Sequence, residues 1–161
     1  MECADGNDPV DGRGTRVLAV ASGGGHWVQL LRLRPAFDGC DVTFVTVRES
    51  YRTQVAGCRF IAVNDATRWN KLSLLRLAIR MLVIVLRVRP DVVVSTGAAP
   101  GYFALRFGRW LGARTLWIDS IANVEEVSLS GRRISRHVDA AFTQWKHLEG
   151  TPGFRHRGAV L

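Results

Sequence analysis

Metal and redox motifs are what this sequence most plainly lacks. Its three cysteines, Cys3, Cys40 and Cys58, are an odd number with no CxxC spacing. They read as free thiols of a reducing compartment, with neither a disulfide nor a metal role. The four histidines, His26, His137, His147 and His156, include no i,i+4 pair flanking a glutamate, so there is no zinc signature. No finger spacing, aromatic RNP pattern or basic helix opening onto a zipper is present, which leaves nucleic acid without a recognisable reader. Nor is there a membrane span: residues 71–88 make only about four to five helical turns and are interrupted by Arg76 and Arg80. Residues 1–14 have no hydrophobic core. They read as a flexible tail rather than a signal peptide, ahead of a single domain at 15–161 in a cytosolic protein.

What the chain does have is a normal apolar fraction, 47% of 161 residues, enough for one globular core. It also has a surplus of base: 22 Lys plus Arg against 14 Asp plus Glu, for a net charge of +8. Such a balance favours an anionic partner. The basic residues are scattered along apolar helices, which points to phosphate or an anionic membrane surface.

Run lengths and turn residues predict strands at 16–21, 42–47, 59–63, 92–96, 115–119 and 140–143. They predict helices at 25–36, 72–88 and 101–111, with a short one near 50–56. Val-rich strands without polar alternation, each followed by a helix, imply a parallel sheet covered on both faces. The expected fold is a single doubly wound, Rossmann-like α/β domain, with ligands beyond the carboxyl ends of the strands.

The first such end reads VLAVASGGGHWVQLL. Glycine at a strand-to-helix turn lets backbone approach a ligand, and the helix N-terminus offers free N–H groups and partial positive charge. Ser22, Gly23, Gly24 and Gly25 therefore suit phosphate or diphosphate. The loop lacks the third glycine of GxGxxG, and no GK[ST] follows, so neither a dinucleotide fold nor a P-loop is indicated. His26, in the first helical turn, is a candidate general base; the alternative is a residue that caps or packs. STGAAPG at 95–101 repeats the grammar around Gly97, and two such loops on adjacent strands would form a two-sided cradle.

Two helices carry more apolar surface than a sheet needs. On the first, Arg76, Arg80 and Arg87 share a narrow stripe and apolar residues fill most of the remainder. On the second, Tyr102, Phe103, Arg106, Arg109 and Trp110 share a face, a mixture suited to lipid headgroups. These residues are expected to rest on an anionic membrane, although a half-buried aromatic face with solvated arginines has the same pattern.

SGGGH at 22–26, PDVVVSTGAAP at 90–100, WIDS at 117–120, SLSGR at 128–132 and VDAAFTQW at 138–145 follow one another along the chain. Together they resemble the PssD-like polysaccharide biosynthesis proteins of bacteria. These in turn are similar to the membrane-recruiting subunit of the two-part N-acetylglucosaminyltransferase of the dolichol pathway, and more distantly to the N-terminal half of MurG-type GT-B glycosyltransferases. The resemblance covers nearly everything after the tail. It implies the acceptor-side half of a GT-B enzyme of exopolysaccharide, capsule or lipid-linked oligosaccharide synthesis, inactive alone and without a cofactor of its own. The partners implied are a small donor-binding subunit, which brings a UDP-linked nucleotide sugar, and a polyprenyl-diphosphate-linked sugar acceptor at the cytoplasmic membrane face.

Carried over by position, residues 23–26 would line the acceptor diphosphate or the junction with the donor phosphates. Gly97 would belong to the second loop. Asp119, Ser120, Asn123 and Glu126 would sit by the acceptor sugar, with Asp119 the second candidate base. Relatives are expected to carry glutamate at 119, where aspartate has a shorter reach; a loop-holding carboxylate is the alternative. The N-terminal membrane helix of the dolichol-pathway relatives has no counterpart, so attachment is expected to be peripheral. A non-catalytic membrane adaptor and a free-standing sugar-nucleotide enzyme such as an epimerase remain as alternatives.

Overall fold

The computed structural model describes residues 14–66 and 70–160. Seven strands, β1 (Arg16–Val20), β2 (Asp41–Thr46), β3 (Arg59–Ala62), β4 (Val92–Ser95), β5 (Arg114–Ile118), β6 (Ala140–Thr143) and β7 (Phe154–His156), form one sheet. All neighbours are parallel, in the order β3-β2-β1-β4-β5-β6-β7. The chain moves outward from β1 through β2 to β3, then returns to β4 on the other side of β1. That reversal puts a crevice between the carboxyl ends of β1 and β4.

The period of two in each strand divides the apolar residues between two cores. Val17, Ala19, Phe44 and Val94 face α1 (Gly25–Arg32), whose Trp27 and Leu30 complete that side. Leu18, Val20, Val45, Val93 and Trp117 face the opposite way, onto α2 (Lys71–Val88), α3 (Ala98–Trp110) and α4 (Leu129–Ile134). Met81, Leu105 and Ile134 are completely buried there, each such side chain contributing about 1.5–3 kcal/mol of transfer free energy.

Helix boundaries follow local chemistry. The Asn70 side chain accepts a bond from the Ser73 N–H at 3.0 Å and starts α2. Arg89, at φ 47°, ends it in the left-handed conformation just before Pro90. α1 is shorter than the 25–36 expected, because Pro35 has no N–H for a continuing helix; residues Arg34–Phe37 form a 3-10 turn instead. α3 begins three residues earlier than expected, at Ala98, since Pro100 falls in the first turn where N–H groups have no helical partner anyway. β7 and α4 were not expected; both are short and rich in charged or small residues. Cys40 is free, but Cys58 is disulfide-bonded, so the expectation of free thiols fails there. The absence of CxxC speaks only to neighbours in sequence, not to pairs made by the fold.

Candidate functional site

Both small-residue loops meet at the β1/β4 crevice. Gly24 sits at φ 66° and ψ −137°, which a side chain resists, and α1 has no side-chain cap. A Cβ at Gly24 or Gly25 would meet nothing within 4 Å, so the first turn of α1 faces open space. The loop is held from behind. Tyr51 Oη accepts from the Gly24 N–H at 3.1 Å, Thr46 Oγ1 donates to the Ser22 carbonyl at 3.1 Å, and Trp27 stacks on Tyr51 at 5.2 Å.

His26 is half-buried and lies against Gly97. Its Nδ1 is 2.8 Å from the Thr96 carbonyl, while Thr96 Oγ1 donates to the His26 carbonyl at 2.6 Å. A carbonyl only accepts, so Nδ1 carries the hydrogen, and in the neutral ring Nε2 holds the lone pair. Nε2 has no hydrogen-bond partner among the described residues. A Cβ at Gly97 would stand 2.6 Å from two atoms of the imidazole, and Gly97 has φ 139°. Ala98 follows at φ 67°, a conformation costing an L-residue about 1–3 kcal/mol and characteristic of constrained sites.

Asp119 is 2% exposed and has four donors. Oδ1 accepts from Trp117 Nε1 at 3.1 Å and Ser128 Oγ at 2.6 Å; Oδ2 accepts from Asn123 Nδ2 at 3.0 Å and the Ser128 N–H at 2.8 Å. Such a carboxylate holds the 119–128 loop and has no lone pair to spare for a substrate proton. Ser128, in the segment SLSGR, also caps α4 by accepting from the Gly131 N–H at 2.9 Å. Ser120 is buried beside Gln29, whereas Glu126 is exposed and paired with Arg132 at 2.6 Å. The structure thus gathers residues 22–26 and 97 closely, and 119, 120 and 123 as a neighbouring loop, with Glu126 at its rim.

The basic and aromatic residues divide. Arg76 and Arg80 are exposed on α2 beside Leu72, Leu75 and Ile79, which are 57%, 56% and 55% exposed. On α3, Trp110 is 67% exposed under the Arg106 guanidinium, 5.6 Å from its ring centre. Tyr102 and Phe103, by contrast, are half-buried against the core, and Arg109 is paired with Asp139. No described helix is long and apolar enough to cross a membrane.

Three features were not anticipated. The Arg48 side chain lies across Gly23, with Nε 3.0 Å from the position of a Cβ there, and its guanidinium has no ion pair among the described residues. Buried Gln144 bonds Gln29 Oε1 at 3.0 Å and the Asp119 carbonyl at 2.9 Å, tying α1 to the Asp119 loop. Tyr51 supports the glycine loop from a 3-10 turn (Glu49–Val55). Arg48 was the one with a signal, a base at the carboxyl end of a strand adjoining β1. Among the described residues no three His, Cys, Asp or Glu side chains converge on a metal-sized site.

Residues 47–160 match the family described as Oligosaccharide biosynthesis protein Alg14 like. No curated protein matches significantly. MurG of Acinetobacter baumannii superposes with a TM-score of 0.71 at 14% identity, covering 88% of this chain and 45% of its own. A glycosyltransferase from Rickettsia africae ESF-5 gives 0.61 at 14%, covering 81% and 37%. UDP-N-acetylglucosamine 2-epimerase from Rickettsia bellii gives 0.67 at 13%, covering 92% and 46%. At these identities the likeness is one of fold, and this chain spans less than half the length of each.

Proposed function

This chain belongs to the Alg14-like oligosaccharide biosynthesis proteins, and from that premise we propose that it is the acceptor-side subunit of a two-component glycosyltransferase. A small donor-binding partner holds a UDP-linked sugar, and the product is built on a polyprenyl-diphosphate-linked acceptor in exopolysaccharide, capsule or lipid-linked oligosaccharide synthesis. The observation that carries this is a ring nitrogen, His26 Nε2, left without a hydrogen-bond partner among the described residues where two glycine loops meet. The chain superposes on less than half the length of MurG and of the epimerase, and the proposal assigns the facing half of such a fold to a partner subunit.

His26 Nε2 takes the proton of the acceptor hydroxyl as its oxygen attacks the anomeric carbon of the donor sugar. The bond from that carbon to the diphosphate breaks, and its electron pair leaves with the nucleoside diphosphate. The Thr96 carbonyl holds the imidazole in the required tautomer and stabilises the imidazolium that forms. The first turn of α1 and the Arg48 guanidinium supply positive charge where phosphate charge develops. Asp119 positions the loop bearing Ser120, Asn123 and Glu126 beside the acceptor sugar. The exposed apolar stripe of α2, with Arg76 and Arg80, and the Arg106–Trp110 pair on α3 rest on an anionic leaflet at the cytoplasmic face, as a peripheral attachment.

Co-expression with the donor-binding partner and a transfer assay on a lipid-diphosphate sugar tests the reading. His26→Ala should lower turnover by about 10²–10⁴-fold in a chain that still folds, with a loss of stability of only about 1 kcal/mol for the missing bond to Thr96. Near-normal turnover in that variant would make His26 a packing residue and the chain an adaptor. Full-speed transfer by the isolated chain would also overturn the proposal.

A further inference from the structure

A second basic pocket lies at the same end of the sheet, outside the β1/β4 crevice. It is a cavity of about 340 Å³ lined by Ala62, Val63, Asn64, Arg76, Leu77 and Arg80. Val63 and Leu77 are 5% and 2% exposed and make an apolar floor. Arg76 and Arg80 stand one helical turn apart, about 6 Å along the axis, so their guanidinium groups can straddle two linked phosphates. Neither makes an ion pair or hydrogen bond among the described residues. α2 itself supplies no counter-charge: its 18 residues include Lys71, Arg76, Arg80 and Arg87 and no acid.

Register connects this cavity to the catalytic crevice. The Val63 N–H donates to the Thr46 carbonyl at 2.8 Å, and Thr46 Oγ1 donates to the Ser22 carbonyl at 3.1 Å. Val63 is therefore level with Ser22, two strands away, or about 10 Å at ordinary strand spacing. That is about the reach of one sugar attached to a diphosphate. Arg48, lying over Gly23, follows two residues after the strand between them. Along α2 the arginines border the stripe of Leu72, Leu75 and Ile79, whose exposure in water is unfavourable unless hydrocarbon covers it.

We propose that Asn64, Arg76 and Arg80 form a diphosphate-binding subsite for a prenyl-diphosphate-linked sugar, whose hydrocarbon lies along the α2 stripe and whose sugar reaches toward His26. This rests on the acceptor-side reading and deepens it: the two arginines recognise one ligand and do more than attract a charged surface. Two guanidiniums and a side-chain amide over a shaped apolar floor give the paired, directional contacts that phosphates favour.

Farnesyl diphosphate titrated into the full chain is the direct probe, with inorganic pyrophosphate as its headgroup alone. The subsite predicts that farnesyl diphosphate binds more tightly than pyrophosphate. R76Q/R80Q should weaken farnesyl diphosphate about tenfold or more, while Arg87→Gln, on the same stripe but outside the cavity, should change it less than about twofold. Phosphatidylcholine vesicles containing polyprenyl diphosphate should outcompete vesicles of equal charge containing phosphatidylglycerol, and the double variant should lose that preference. Equal losses in all arginine variants, equal binding of the two vesicles, or pyrophosphate binding as tightly as farnesyl diphosphate would overturn the subsite. Transfer by the reconstituted complex is measured alongside. His26-dependent transfer with an unaltered acceptor KM in R76Q/R80Q overturns the subsite alone, whereas no transfer to any lipid acceptor overturns the function on which it rests.

Discussion

Gly97→Ala is the sharpest probe of the crevice. The new methyl would lie 2.6 Å from Cε1 and Nδ1 of His26, against an ordinary contact of 3.4 Å or more, so the ring must retreat by about 0.8 Å (3.4 − 2.6). That movement lengthens the 2.8 Å bond from Nδ1 to Thr96 and turns Nε2 away from its target. The backbone adds its own cost, because φ 139° with ψ 178° is a conformation open almost only to glycine. Together these should lower stability by about 1–3 kcal/mol, a fall in melting temperature of about 2–12 °C for a domain of this size. Catalytically, a misplacement approaching 1 Å costs on the order of 10²-fold in turnover. The assay is transfer by the reconstituted complex, with the His26→Ala and double variants measured beside it. Since Gly97 acts through the imidazole, the double variant should be no slower than His26→Ala alone. A Gly97→Ala enzyme that keeps full turnover, or losses that multiply in the double variant, would refute the coupling.

Asp119→Asn presents an NH₂ either to Trp117 Nε1 or to the Asn123 and Ser128 amides, leaving at least one buried donor without an acceptor; thermal melts should show a loss of about 1–3 kcal/mol, and an unchanged melt with abolished turnover would instead make Asp119 the base. Burial alone would raise the Asp139 carboxyl, but bonds from Thr115 and Arg109 outweigh it and hold it below its ordinary value of 3.8, as Arg16 does for Asp91. A carboxyl depressed on folding stabilises fully above its unfolded value and loses that contribution as pH falls through the folded one. Urea midpoints should therefore drop between about pH 5 and about pH 2, and Asp139→Asn should flatten the drop; an identical slope in the variant would sink the assignment.

The sheet was legible because most of its strands are short apolar runs without polar alternation, a pattern set by burial on both faces. α2 was legible almost to the residue, since Asn70 and Pro90 punctuate it. β7 and α4 were hidden: Phe154–His156 has one buried residue in three, and α4 takes its stability from Ser128 and the Asp119 carboxylate, contacts across nine residues of sequence. The glycine loop and His26 were visible as local motifs, and their meeting with Gly97 followed from the adjacency of β1 and β4. Gln29 and Gln144 were not visible, because the bond that pairs them spans 115 residues of sequence. Nor does a helical wheel show that Arg109 is taken up by Asp139 or that Tyr102 and Phe103 turn inward.

The crossed bonds between His26 and Thr96 latch the first turn of α1 to the end of β4. Alignment of the imidazole is therefore completed when the domain folds and is not left to whatever lies opposite. In the proposed two-component assembly, a second subunit approaching this face meets a finished template and has no loop to order here. Assembly should then proceed at a rate governed by collision and orientation, with no slow ordering step on this side.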